Sequence, residues 1–161
     1  DISFYRLTYR RNWLEPISDD VTLNFDGNLA YADGYNGDIL PYYKYYYVGG
    51  VNSVRGYRSS SIGPKDSDGF SLGGNYKWVF STELLMPIPN SNTKEIRLAL
   101  FLDQGYVGDE LKFDEKARAS TGLSINWYSV IGPIKLVFAK PLNANDFDKT
   151  EMIQFSLGTM F

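Results

Sequence analysis

Val21-Thr22-Leu23-Asn24-Phe25-Asp26-Gly27-Asn28-Leu29-Ala30-Tyr31 is the stretch that decides the fold of this chain. Val21, Leu23, Phe25, Leu29 and Tyr31 fall on one parity, while Thr22, Asn24, Asp26, Asn28 and Ala30 fall on the other. A strand sends successive side chains to opposite faces, so the segment reads as a strand with one apolar and one polar face. The alternation recurs on both sides of it. Before it, Tyr5, Leu7, Tyr9 and Trp13 oppose Arg6, Thr8, Arg10 and Asn12. After it, Tyr76, Trp78, Phe80, Thr82 and Leu84 oppose Lys77, Val79, Ser81, Glu83 and Leu85, and Ile96, Leu98, Leu100 and Leu102 oppose Arg97, Ala99, Phe101 and Asp103. Ala119, Thr121, Leu123, Ile125 and Trp127 then oppose Arg118, Ser120, Gly122, Ser124 and Asn126, and Ile134, Leu136 and Phe138 oppose Lys135, Val137 and Ala139. Last, Ile153, Phe155, Leu157 and Phe161 oppose Met152, Gln154, Ser156 and Gly158, which makes seven strands and no helix.

The connections alternate in length. Short ones fall at 15–20, 87–93 and 129–132, long ones at 34–73, 108–116 and 142–149. Short turns at one end and long loops at the other are the layout of a transmembrane β-barrel, with an outward apolar band and aromatic girdles. A soluble β-sandwich also alternates, but in strands of about 5–6 residues. Segments of about ten residues match the length that crosses the hydrocarbon layer at a tilt. The expected class is therefore all-β, an antiparallel transmembrane barrel, with residues 1–161 forming its C-terminal part of about seven strands. The last strand follows a long loop, which puts Phe161 on the periplasmic side and Asp1 on the outer side. Single-chain bacterial barrels have even strand numbers, so an odd count with an external start predicts a piece of a larger barrel. Its two unpaired edges are expected to drive self-association, distortion or aggregation when the piece is isolated. Tyr42–Val48, rich in tyrosine, is the one candidate for an eighth strand; otherwise it would extend the second hairpin above the membrane.

Composition narrows the chemistry. The 161 residues carry 16 Lys+Arg against 19 Asp+Glu for a net charge of −3, contain neither Cys nor His, and are 16% aromatic. Without His and Cys there is no His-assisted nucleophile, His-ligated zinc, disulfide or thiol chemistry. A small negative charge disfavours nucleic acid, which calls for a surplus of Lys and Arg. No apolar run is long enough for a membrane helix. Asp66-Ser67-Asp68-Gly69 is part of a calcium-loop pattern but lacks the remaining ligands, so it reads as a polar loop tip. Gly49–Gly56 lacks the Lys-Ser/Thr that would make it a phosphate loop. No enzyme, metal or cofactor is expected.

The longest loop carries Tyr47-Val48-Gly49-Gly50, then Ser53-Val54-Arg55-Gly56-Tyr57, then Ser61-Ile62-Gly63-Pro64. These runs resemble the loop signature of the outer-membrane β-barrel assembly factor superfamily. Gly73-Gly74-Asn75, the Glu83 strand ending at Pro87, Asp103-Gln104-Gly105, Gly132-Pro133-Ile134 and the terminal strand to Phe161 match in the same order. The resemblance implies a bacterial outer-membrane barrel that inserts nascent outer-membrane proteins into the lipid bilayer. Lipoprotein subunits of the assembly complex would act through periplasmic domains outside this chain. A translocation-and-assembly branch of the superfamily carries a similar loop and stays open, as does a small porin or adhesin barrel. The resemblance also implies that the motif Val54, Arg55, Gly56, Tyr57 folds into the lumen, with Arg55 meeting acids on the inner wall. Glu83 and Asp103 are the candidates, since both have inward parity on adjacent strands. On parity alone, Arg55 could equally be a solvated loop residue and the acids could line a wet pore. The last strand, Ile153, Phe155, Leu157, Gly158 and the terminal Phe161, is similar to the signal by which such barrels are recognised for assembly. An amphipathic strand with an open edge also suits capture by strand addition. Gly158 would weaken it locally.

Overall fold

The computed structural model describes residues 3–90, 93–114 and 116–158. The alternating segments form β1 (Phe4–Pro16), β2 (Thr22–Gly34), β3 (Tyr76–Pro87), β4 (Ile96–Gly108), β5 (Arg118–Ser129), β6 (Gly132–Pro141) and β7 (Ile153–Leu157). They make one seven-stranded sheet in chain order, every neighbour antiparallel. Up-and-down order follows from the hairpin connections, because each strand finds its nearest partner in the strand just laid down. β1 and β7 each have one edge unpaired within the sheet. Among the described residues no helix is long and apolar enough to cross a membrane.

The register carries the polar face of each strand to one side. Asn24 stands opposite Glu83, Ser81 opposite Asp103, Asp103 opposite Ser120, and Ser124 opposite Val137, which in turn faces Gln154. Residues in register share a face, so all of these line the inner side. The outer side shows Leu7, Tyr9, Trp13, Phe25, Leu100, Leu102, Phe138, Ile153 and Phe155 as exposed side chains. An apolar band of that extent is costly in water and fits a lipid-facing wall.

Residues 35–75 do not stand above the sheet. They fold back onto its inner face, burying Leu40, Tyr46, Val48, Val54, Tyr57 and Ile62 against Ala30, Ala32 and Val107. Tyr42–Val48 is neither an eighth strand nor an extension of the second hairpin. It holds a 3-10 turn at Tyr42–Lys44, then meets the rest of the loop through single bridges, Tyr46 to Gly74 and Val48 to Ile62. β2 already has both edges taken by β1 and β3, so this stretch has no ladder to join there; Tyr46 and Val48 are buried against the inner wall, while Tyr42 and Tyr43 stay exposed.

Candidate functional site

The site starts from one buried cation. Arg55 is 3% exposed and points from the loop into the wall between β3 and β4. Its Nε and Nη2 donate to the two oxygens of Asp103, each at 2.7 Å, and Nη1 donates to Glu83 Oε1 at 2.5 Å. Nη2 also donates to Ser81 Oγ at 3.0 Å, and the Ser81 hydroxyl in turn donates to Asp103 Oδ1 at 2.7 Å. The Arg55 backbone N–H donates to Asp103 Oδ2 at 3.0 Å, which gives that fully buried carboxylate four donors. A carboxylate accepts about four hydrogen bonds, so Asp103 is saturated. The other Glu83 oxygen accepts from Asn24 Nδ2 at 3.2 Å. Below the fork, the Phe101 ring centroid lies 3.7 Å from the guanidinium carbon, a cation–π contact. Burial opposes the charge on Arg55, but the bonds and field of Asp103, then Glu83, outweigh it and hold the guanidinium above its ordinary value.

Local backbone makes this approach possible. Gly56 has φ 86°, a left-handed conformation that L side chains rarely adopt, and it turns the chain directly after Arg55. Under Val54 the wall must be bare: a Cβ on Gly105 would stand 2.5 Å from Val54 Cγ2. Tyr57 is fully buried, and its hydroxyl donates to the Ala119 carbonyl at 3.2 Å. Burial first, and the Asp148 carboxylate next, push its phenol up to about 12.

The loop motif also reaches the last strand. Gln154, 5% exposed on β7, accepts from Gly56 N–H through Oε1 at 2.9 Å and donates through Nε2 to the Tyr57 carbonyl at 2.8 Å. Just before β7, Glu151 N–H donates to the Gly56 carbonyl at 2.9 Å and Arg58 N–H donates to the Lys149 carbonyl at 2.8 Å. Residues 56–58 thus lie beside 149–151 like a short strand, with a bridge from Tyr57 to Thr150.

The structure therefore brings Val54, Arg55, Gly56, Tyr57, Glu83 and Asp103 together. Gly105, quoted above in the run Asp103-Gln104-Gly105, completes the site together with Ser81, Phe101, Asn24 and Gln154, which were not singled out from the sequence. Ser81 and Phe101 could have been, because each lies two residues from a named acid on the same face. Gln154 has inward parity too, but nothing local marks which inward residue meets a loop 98 positions away. Ile153, Phe155 and Leu157 point outward and are exposed. Gly158 N–H donates to the Pro133 carbonyl at 2.8 Å, and a Cβ there would stand 2.7 Å from Pro133 Cγ. Phe161 lies outside the described residues. Asp66 spends Oδ1 on the N–H groups of Asp68 and Phe70, closing a turn. Among the described residues there is no acidic cluster able to hold a metal ion.

Comparison with known proteins agrees with this architecture. The Omp85 superfamily domain model matches residues 1–161. The outer membrane protein assembly factor BamA of Neisseria meningitidis is 33% identical, the match covering 99% of this chain and 24% of the relative. BamA of Nitratidesulfovibrio vulgaris is 30% identical over 82% of this chain and 17% of that protein. A crystal structure of BamA from Haemophilus ducreyi lacking POTRA domains 1–3 superposes with a TM-score of 0.88 at 28% identity, covering 98% of this chain and 35% of that one. The chain thus spans about a quarter or less of the length of these two curated relatives.

Proposed function

The chain belongs to the Omp85 superfamily, and on that premise we propose that it is the C-terminal part of an outer-membrane barrel that assembles and inserts β-barrel proteins in a bacterial outer membrane. The observation that carries the reading is the buried fork of Arg55 on Asp103 and Glu83, which fastens a long loop against the inner wall. An Arg fork suits this task because it bonds in a fixed plane to two carboxylates and stays charged when desolvated. The work is non-covalent: nascent strands are captured at the edge of the sheet by backbone pairing, in contact with the bilayer. Lipoprotein subunits would act through domains beyond this chain. Taken alone, the chain would self-associate through the open edges of β1 and β7. The loop covers the inner face that a porin leaves to water, which favours the assembly reading over a pore.

In cells depleted of the wild-type protein, the intact protein carrying Arg55→Ala is expected to fold yet lose outer-membrane protein assembly, with the loop open to protease. Full complementation together with unchanged loop protection would falsify the reading.

A further inference from the structure

We propose that Gln154 is a positioning residue that transmits the docked state of the 35–75 loop to the last strand, β7. Its amide satisfies a donor on Gly56 and an acceptor on Tyr57 at once, as a neighbouring strand would. A side-chain amide sets an N–H donor beside a carbonyl acceptor as a backbone peptide does; an ionised Glu lacks the donor, and Met offers only a weakly accepting sulfur. The side chain is buried, so without the loop its amide would lose both of these partners, and the Gly56 N–H would lose its acceptor, while the Tyr57 carbonyl would keep the Gly50 N–H at 3.0 Å.

Position gives the contact its consequence. Asp103 on β4 and Gln154 on β7 are separated along the wall by the β4–β5, β5–β6 and β6–β7 ladders, an arc of about 14 Å at the usual strand spacing. Arg55 and Gly56, adjacent in sequence, bind the two ends of that arc. The loop is therefore a brace across the curve of the sheet. β7 is the strand with most to gain from it, spanning Ile153–Leu157 among the described residues and paired in the sheet only to β6. The Gln154 bonds act with those of Glu151 and Arg58 on the segment leading into β7. Coupling of this kind is reciprocal: releasing Arg55 loosens β7, and displacing β7 weakens the seat of Arg55.

The inference deepens the loop lock above but is read out without reference to assembly. Hydrogen–deuterium exchange on the intact protein in lipid nanodiscs would compare wild type, Gln154→Met, Gln154→Glu, Arg55→Ala and the Arg55→Ala/Gln154→Met double variant. Gln154→Met is expected to speed exchange about tenfold at both residues 56–58 and 153–157. Gln154→Glu should exceed it, because a carboxylate would face the Tyr57 carbonyl and the nearby Glu151 side chain. Arg55→Ala should speed exchange in β7, which Arg55 does not touch, and the double variant should add little further. The idea is overturned if Arg55→Ala frees the loop while 153–157 exchanges as in wild type, a result that stands even where variants at 154 do not fold. Retained assembly by Arg55→Ala, measured on the same protein, counts against the proposed function alone.

Discussion

Two of the loop's contacts with the wall have opposite chemistry. On β3 and β4 the contact is ionic and saturated, with Asp103 fully buried and both of its oxygens bound by the Arg55 fork. On β7 it is neutral, one amide between one N–H and one carbonyl. The supporting walls differ in the same sense among the described residues: β3 and β4 share twelve register pairs, β6 and β7 five. An ionic contact inside a protein is costly to break, because each separated charge is left without solvent. A neutral pair exchanges more easily with water. The loop is thus fastened firmly on β3 and β4 and lightly on β7, so the β7 contact is expected to open first.

The largest effect should come from breaking the ionic side at its saturated partner. Asp103→Ala leaves Arg55 buried beside Glu83 alone, and a loss of about 3–5 kcal/mol in loop docking is expected. Loop protection from protease in the intact protein, titrated with denaturant, would measure it. Replacing Arg55, Glu83 and Asp103 together by apolar residues should recover part of that loss, since no charge is then stranded. If Asp103→Ala costs no more than Gln154→Met, for which about 1–3 kcal/mol is expected from the Gly56 N–H left unpaired, the contrast between the two contacts fails.

A purely steric change sharpens the comparison from another side. Gly105→Val would press a side chain onto Val54, where even a Cβ is 2.5 Å from Cγ2. Overpacking of this kind typically costs about 1–3 kcal/mol. The loop should lift near Val54 with all charges intact, and exchange at residues 53–57 should rise before exchange in β3. Unchanged exchange there would show that the seat tolerates the volume and that the ionic fork alone sets the loop position.

Much of this was legible from alternation, and the reason is physical. Strand parity is local, so the inward placement of Glu83 and Asp103 follows from counting along each strand, and antiparallel hairpins bring the two strands side by side. The resemblance then supplied Arg55 as their partner. The path of Tyr42–Val48 was not legible, because its tyrosines suit a strand as well as a packed loop and only the occupancy of both β2 edges decides between them. Gln154 was hidden for a related reason. Its two bonds go to backbone atoms, which carry no sequence signal, and its neighbours Met152 and Ser156 share its parity.

Alkaline pH should give the smallest effect, at the rim between the two contacts. Tyr57 stays protonated in the docked loop up to about 12, whereas a free tyrosine ionises near 10. A group whose folded pKa is raised contributes stability that is complete below the unfolded value and lost as pH rises through the folded one. Docking should therefore weaken between about pH 10 and 12. Tyr57→Phe isolates the effect from the lysines that titrate over the same range. Without the phenol the loop loses the 3.2 Å bond to the Ala119 carbonyl, a cost of about 1 kcal/mol or less at neutral pH. In return, its docking should fall less steeply than wild type above pH 10. Equal slopes in the two proteins, followed by exchange at residues 56–58, would mean that the alkaline loosening begins elsewhere and that Tyr57 has no part in the brace beyond its packing.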